Sequence, residues 1–427
     1  TTANIESTTA SNGFAMIDSD EYGGEEGGTE VEDSWFTTAN PIDLSNATTA
    51  LLQFETWYRK FNSEQCFVVI STTNDDWPEL TPNFDASTNP NVFYVFPNVE
   101  NTETLDSNPE LKGINISEVA ANQSQVWVRF HWTGTWGYSW FVDDASIIEM
   151  PSDEIVLNYG YFSNGGAVEY GRTPESQMND TIILGGEVYN FGSEDQSNVT
   201  IDATVSNSGN TIISINTVQS LLESDSIAYI EDFATDFAPL AIGNYNLNVE
   251  VSSDGDNSNG ENFANNSYSR SFAVTENLYS LDGIDVYDEE SLSVSVLASN
   301  SFTDNEDGLI IMVYYIIREQ VRINGLEVAL SNSDNFSAGA EIIPFVLTVD
   351  AWNEDDVFDR MVEGDFITVE NWNLNQGKIW LPFDETVLEP GEYFACVELY
   401  SGSGDNHVGV LDDETVAQPW YATSIYL

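Results

Sequence analysis

The groups from which this 427-residue chain could build chemistry are two histidines, two cysteines and 72 acidic side chains. His131 sits inside an aromatic, strand-like run and His407 in a Gly/Ser/Asp loop, and no His-Glu-x-x-His, Gly-x-Ser-x-Gly or phosphate-loop pattern accompanies either. A Ser-His-Asp or Cys-His nucleophile would have to be assembled from these two rings, and His131 reads as a core or sheet-face residue. Paired carboxylates can cleave glycosides, but with so many acids some pair at the required separation is inevitable and carries no information. Cys66 and Cys396 lie in separate strand-like runs and read as inert core residues, not as a disulfide. The chain is expected not to be an enzyme.

Hard divalent cations are the better-matched ligand for clustered oxygen donors. The candidates are Asp18-Ser-Asp20-Glu21, Asp143-Asp144 at a strand end, and the run from Asp254 to Glu261, which lacks the sixth-position Gly and twelfth-position Glu of an EF-hand. A second kind of site is suggested by the segment Trp127 to Trp140. On a strand, Trp136, Tyr138 and Trp140 share one face and form a stacking platform for sugar rings. The competing reading, which is preferred, puts these aromatics in a sandwich core, with soluble sugars then binding weakly or not at all.

Positioning such groups falls to strands. Period-2 segments such as Ala50–Tyr58, Gln125–His131, Tyr245–Val251 and Leu326–Leu330 are short, rich in Val, Ile and aromatics, and bounded by Asn, Asp, Gly and Ser. Ser220–Ala228 fits either one helical turn or a bent strand. The predicted class is all-β, as three tandem β-sandwich domains over 1–150, 151–277 and 278–427, with joints at Met150–Glu154 and near Thr275–Leu278. Both joints are short and lack Gly/Ser or Pro runs, so a semi-rigid rod is expected. The longest apolar run, Leu309–Ile317, is far shorter than a membrane span of about 20 residues. Thr1 opens no signal peptide, which suggests numbering that begins inside a longer precursor.

The net charge of -62 is shared by all three segments, at -20, -17 and -25. Nucleic acid is excluded as a partner, since binding it requires clustered Lys and Arg. An acidic shell of this density points to a saline habitat or bound divalent cations.

Asn12-Gly-Phe-Ala-Met-Ile-Asp18-Ser-Asp20, Thr38–Ser45, Leu51–Phe54, Val126–Phe130 and Trp140-Phe-Val-Asp-Asp144-Ala-Ser-Ile together resemble the cleaved-adhesin and MAM-like jelly-roll domains of Bacteroidota surface proteins. That resemblance implies a structural calcium near Asp18, Asp20, Asp143 and Asp144. It also implies a first strand before Asn12, which is hard to see in Thr1–Thr9 and suggests a domain truncated or completed by another segment. Gly185–Gly192, Gly243–Val249 and Asp254–Asn266 make the middle segment similar to the immunoglobulin-like CARDB module. Ile323–Val328, Trp380–Phe383 and Leu388–Tyr393 make the last one resemble the β-sandwich that follows such modules in type IX-secreted proteins. Thr181 and Ser226 follow Asp180 and Asp225 in the short pattern that such bacteria O-glycosylate.

The resemblance implies an extracellular, cell-surface protein, without membrane insertion, serving as the stalk, filament or adhesive part of an appendage or gliding adhesin. Its expected partners are other copies or segments of the same surface protein, glycans or other cell surfaces. The alternatives are a carbohydrate-binding module or the non-catalytic part of an exported hydrolase.

Overall fold

The computed structural model describes residues 4–426 except 23–30, 98, 100–103, 106, 135–136, 236, 257–264, 289–290, 302–307, 352–358 and 402–405, together with all but the side chains of Asp20 and Tyr22. The described residues form β-sheet with a few short helices, and the chain divides into two compact units, Thr1–Ser152 and Asp153–Leu427. Among the described residues no helix is long and apolar enough to cross a membrane.

The first unit holds eight strands: β1 (Ala15–Asp18), β2 (Glu32–Thr37), β3 (Leu51–Arg59), β4 (Gln65–Ser71), β5 (Val92–Tyr94), β6 (Glu110–Asn115), β7 (Trp127–Gly134) and β8 (Ser139–Ile148). They form two antiparallel four-stranded sheets, in the orders β1-β8-β3-β6 and β2-β7-β4-β5. That alternation of the chain between two sheets is the jelly roll. Among the described residues no strand precedes β1, which forms the edge of its sheet beside β8. Leu52, Phe54, Val68, Ile70, Val128, Phe130, Trp132 and Trp140 fill the space between the sheets. Strand β4 is buried on both faces: Cys66, Val68 and Ile70 face this core, while Phe67 and Val69 pack against Leu80 and Val92.

The second unit begins with β9 (Ile155–Ser163), β10 (Arg172–Pro174), β11 (Ile182–Asn190), β12 (Gln196–Asn207), β13 (Asn210–Leu222), β14 (Ile227–Ala234), β15 (Gly243–Ser252) and β16 (Ser267–Thr275). The undecided stretch Ser220–Ala228 is the end of β13, a turn over 223–226 and the start of β14. Sheets β14-β11-β9 and β10-β16-β15-β12-β13 sandwich one core. Strand β15 shows why: Tyr245, Leu247, Val249 and Val251 turn inward while Asn244, Asn246, Asn248 and Glu250 alternate outward.

The remaining strands are β17 (Val294–Ala298), β18 (Leu309–Ile317), β19 (Val321–Ala329), β20 (Glu341–Thr348), β21 (Val362–Glu363), β22 (Ile367–Thr368), β23 (Lys378–Leu388), β24 (Gly391–Tyr400), β25 (Gly409–Asp413) and β26 (Thr423–Tyr426). The apolar run Leu309–Ile317 is an interior strand, hydrogen-bonded to β24 on one side and β26 on the other.

The segments expected as separate domains 151–277 and 278–427 belong to one compact unit. Gly171 N donates to Leu281 O at 3.0 Å, Arg172 and Ser280 exchange backbone hydrogen bonds at 3.1 and 3.0 Å, and Arg172 Nη2 lies 2.6 Å from Asp282 Oδ1. Val168 and Tyr170 join the core of the last segment beside Met312, Phe345 and Cys396. Tyr170, Tyr279 and Tyr315 cluster with ring centroids 4.6 to 5.8 Å apart. Only glycine fits at 171, since a Cβ there would lie 2.0 Å from Asp282 O.

Candidate functional site

The residues expected to hold calcium in the first unit do not form one donor set. Asp18 pairs with Ser139 and Ala15 with Val142 across the β1–β8 ladder. Asp143 therefore lies four residues along β8 from Asp18's partner, a separation of roughly 13 Å at about 3.3 Å per residue. Asp18 Oδ1 accepts the Glu21 amide at 3.1 Å. At the far end, the Ser7 hydroxyl donates to Asp143 Oδ2 at 2.6 Å and that of Thr9 to Asp144 Oδ1 at 2.7 Å, while Thr8 donates twice to Glu55. Residue 20 lies on a helical turn with its side chain outside the described set.

Two members of the suggested sugar platform, Tyr138 and Trp140, fall among the described residues. Trp140 is 1% exposed, with its indole N–H on Thr56 Oγ1 at 2.9 Å, so it belongs to the core. Tyr138 lies beneath the Arg59 guanidinium, 3.9 Å from its ring centre, and against Phe61. Trp136 falls outside the described residues. Of the two O-glycosylation candidates, Thr181 is exposed, while the Ser226 hydroxyl donates to Glu223 O at 2.5 Å.

Both cysteines are fully buried, and burial pushes their thiols up. His407 Nδ1 lies 3.2 Å from Ser299 Oγ. His131 is 3% exposed, with Nε2 2.5 Å from Asp33 Oδ1. Burial lowers its pKa from the ordinary 6.5, and the opposing pull of Asp33 does not offset this. The unfolded chain therefore takes up the proton more readily, and stability is lost as pH falls through about 6.5 toward the depressed folded value. The first unit should lose up to about 1.4 kcal/mol per pH unit in that window through this group. Urea unfolding at a series of pH values checks this: His131→Gln should flatten the slope relative to wild type, and equal slopes would remove His131 as its source.

The site the structure does assemble lies on the outer face of sheet β14-β11-β9. Cross-strand rows there read Tyr161–Gly185–Glu231 and Tyr159–Glu187–Tyr229. Because Gly185 carries no side chain, the Tyr161 hydroxyl crosses it to bond the Glu231 carboxylate. Tyr268, Gly166–Ala167 and the Val416–Pro419 segment complete a cleft of about 580 Å³, within the range of ligand pockets. Gln418 fixes the last wall by two hydrogen bonds to the Glu169 backbone, at 3.1 and 2.8 Å.

Every phenol in the cleft with a resolved shift moves upward: Tyr161 through burial and Glu231, Tyr229 through Glu187 and Tyr159, and Tyr268, mainly through burial, to about 12. Tyr161, Tyr229 and Tyr268 thus keep their protons and act as hydrogen-bonding groups with apolar faces. A flat, polyhydroxylated ring suits this combination, because its C–H face can lie on a phenol ring while its hydroxyls donate to carboxylates.

No protein-family model matches this chain, and no curated protein matches it. Similar solved structures include a β-glucuronidase from Bacteroides uniformis, at 9% identity and a TM-score of 0.28 over 57% of this chain and 26% of that one. They also include a glycosyl hydrolase family 2 member from Bacteroides cellulosilyticus, at 7% and 0.26 over 57% and 27%. A β-galacturonidase of the same family from Eisenbergiella tayi matches at 8% and 0.25 over 57% and 35%. The matched parts span about a quarter to a third of those chains, and likenesses at these TM-scores carry no functional argument.

Proposed function

We propose that this chain is a non-catalytic structural and adhesive segment of an extracellular bacterial surface protein of the cleaved-adhesin type, whose second unit makes adhesive contact with neutral glycans. The observation that carries this reading is the tyrosine cleft. Its floor comes from one sandwich and its wall at Val416–Pro419 from the last segment of the same unit, so the surface is held by a shared core. The acidic shell favours a neutral ligand, because anionic polymers would be repelled by -62 charges.

A glycan array probed with the whole chain should show binding to neutral oligosaccharides. Tyr229 is 62% exposed, so Tyr229→Ala should leave melting unchanged while weakening binding by about tenfold, in line with about 1–1.5 kcal/mol for a lost aromatic contact. No binding, or equal binding by the variant, would overturn the adhesive assignment, and hydrolysis of a bound glycan would overturn the non-catalytic one.

A further inference from the structure

We propose that Asp256, Asn265 and Asn266, with the Glu154 carboxylate beside them, hold a calcium ion within the second unit. Asp256 is 1% exposed and Asn266 7% exposed. Three of their side-chain oxygens, Asp256 Oδ1, Asn265 Oδ1 and Asn266 Oδ1, are shut off from solvent without a hydrogen-bond partner. Buried acceptors left in this state are costly and rare, and three of them on adjoining residues require a common cause.

Their orientation follows from the neighbouring carboxylates. Asn266 Nδ2 donates to Asp256 Oδ2 at 3.0 Å, and Asn265 Nδ2 donates to Glu154 Oε1 at 2.9 Å. A carboxylate can only accept, so each amide must present nitrogen to it and turn its own oxygen the other way. The backbone amide of Ile155 also donates to Asp256 Oδ2, at 3.0 Å, which leaves Oδ1 as the free oxygen of that group.

The cluster therefore offers acceptors alone, and Asp256 has no cationic side chain among the described ion pairs. A water molecule brings two protons but no charge, and would leave the buried Asp256 carboxylate uncompensated. A divalent cation compensates it.

Carboxylate and amide oxygens are hard donors, which selects calcium or magnesium over thiolate- or imidazole-seeking metals. The mixed set, with two carboxylates rather than three acidic, His or Cys ligands, suits the flexible, carbonyl-tolerant shell of calcium over the strict octahedron of magnesium. The ion would tie the first strand of the unit, through Glu154 and Ile155, to the connection between β15 and β16.

Calorimetric titration of the chelator-stripped whole chain with calcium chloride, in excess sodium chloride to screen weak surface association, tests this. One saturable site per chain is expected, with magnesium binding far more weakly. Asp256→Asn should weaken the site by about tenfold or more. Should that variant fail to fold, hydrogen exchange of the wild-type chain decides: calcium should slow exchange at Ile155 and around Asn266. The proposal is overturned by the absence of a saturable site, by equal binding of magnesium, by unaltered binding in a folded Asp256→Asn, or by exchange that ignores calcium, which would mean a buried water only.

Discussion

Replacing Arg270 with Met should cost the second unit about 3–5 kcal/mol, as expected when one partner of a buried ion pair is removed. Arg270 Nη1 lies 2.7 Å from Glu169 Oε2, with side chains 2% and 7% exposed. The Phe162 amide adds a hydrogen bond to the same carboxylate oxygen, and Arg270 Nη2 reaches Tyr170 O at 3.1 Å. Burial already holds the Glu169 carboxyl above its ordinary 4.5, with Arg270 as the largest opposing influence. Without the guanidinium the folded pKa must rise further. Stability in the variant is then retained below the unfolded pKa and lost as pH rises through the folded one, so Arg270→Met should recover on acidification. Denaturant unfolding of Arg270→Met, Glu169→Gln and the double variant would check the coupling. The double variant should be much more stable than the sum of the single losses predicts, and simple additivity would show that the pair does not act as a unit.

Trp140→Ala should destabilise the first unit by about 3–5 kcal/mol, the range for truncating a buried tryptophan. Its ring packs against Phe96 and Phe130, and its N–H satisfies Thr56, whose hydroxyl in turn donates to Phe141 O at 2.7 Å. The substitution opens a cavity and also strips Thr56, 0% exposed, of its donor. Calorimetric scanning should show the transition of the first unit moving down while that of the second stays in place. Glycan binding at the tyrosine cleft should survive at temperatures where the second unit is folded. A folded variant of unchanged stability that had lost sugar binding would instead make Trp140 the surface residue that its spacing from Tyr138 first suggests.

The first of these effects follows from how this acidic chain is stabilised. With 10 basic residues against 72 acidic ones, cations are scarce, and several of the described ones are placed where one side chain serves two structural ends. Arg172 pairs with Asp282 and bonds the Ser280 hydroxyl across the junction of the two segments of the second unit. Arg360 bridges Glu363 and Glu398, 3.9 Å above the ring of Phe345. Arg129 lies 3.8 Å over Trp77 and 5.1 Å over Trp35.

The sequence alone determined the all-β class, because alternation such as Tyr-Asn-Leu-Asn-Val-Glu-Val at 245–251 leaves one apolar face that only a sheet buries. It also determined that Cys66, His131 and Cys396 are interior groups, since each sits among Val, Ile and aromatic neighbours on a strand.

The cleft was decided by tertiary structure. Ile155, Leu157, Tyr159 and Tyr161 share one phase of a period-2 strand, and an unbroken strand would place all four in the core. A register shift opposite Glu187 and Val188 inserts an extra residue into β9, so Ile155 and Leu157 point inward while Tyr159 and Tyr161 turn outward and Gly160 and Phe162 take the inner positions. The bulge depends on pairing with β11, almost 30 residues further along the chain, and the wall at 416–419 lies some 250 residues away. The separation of Asp18 from Asp143 has the same cause, since ladder register is a property of the paired strands and not of either segment.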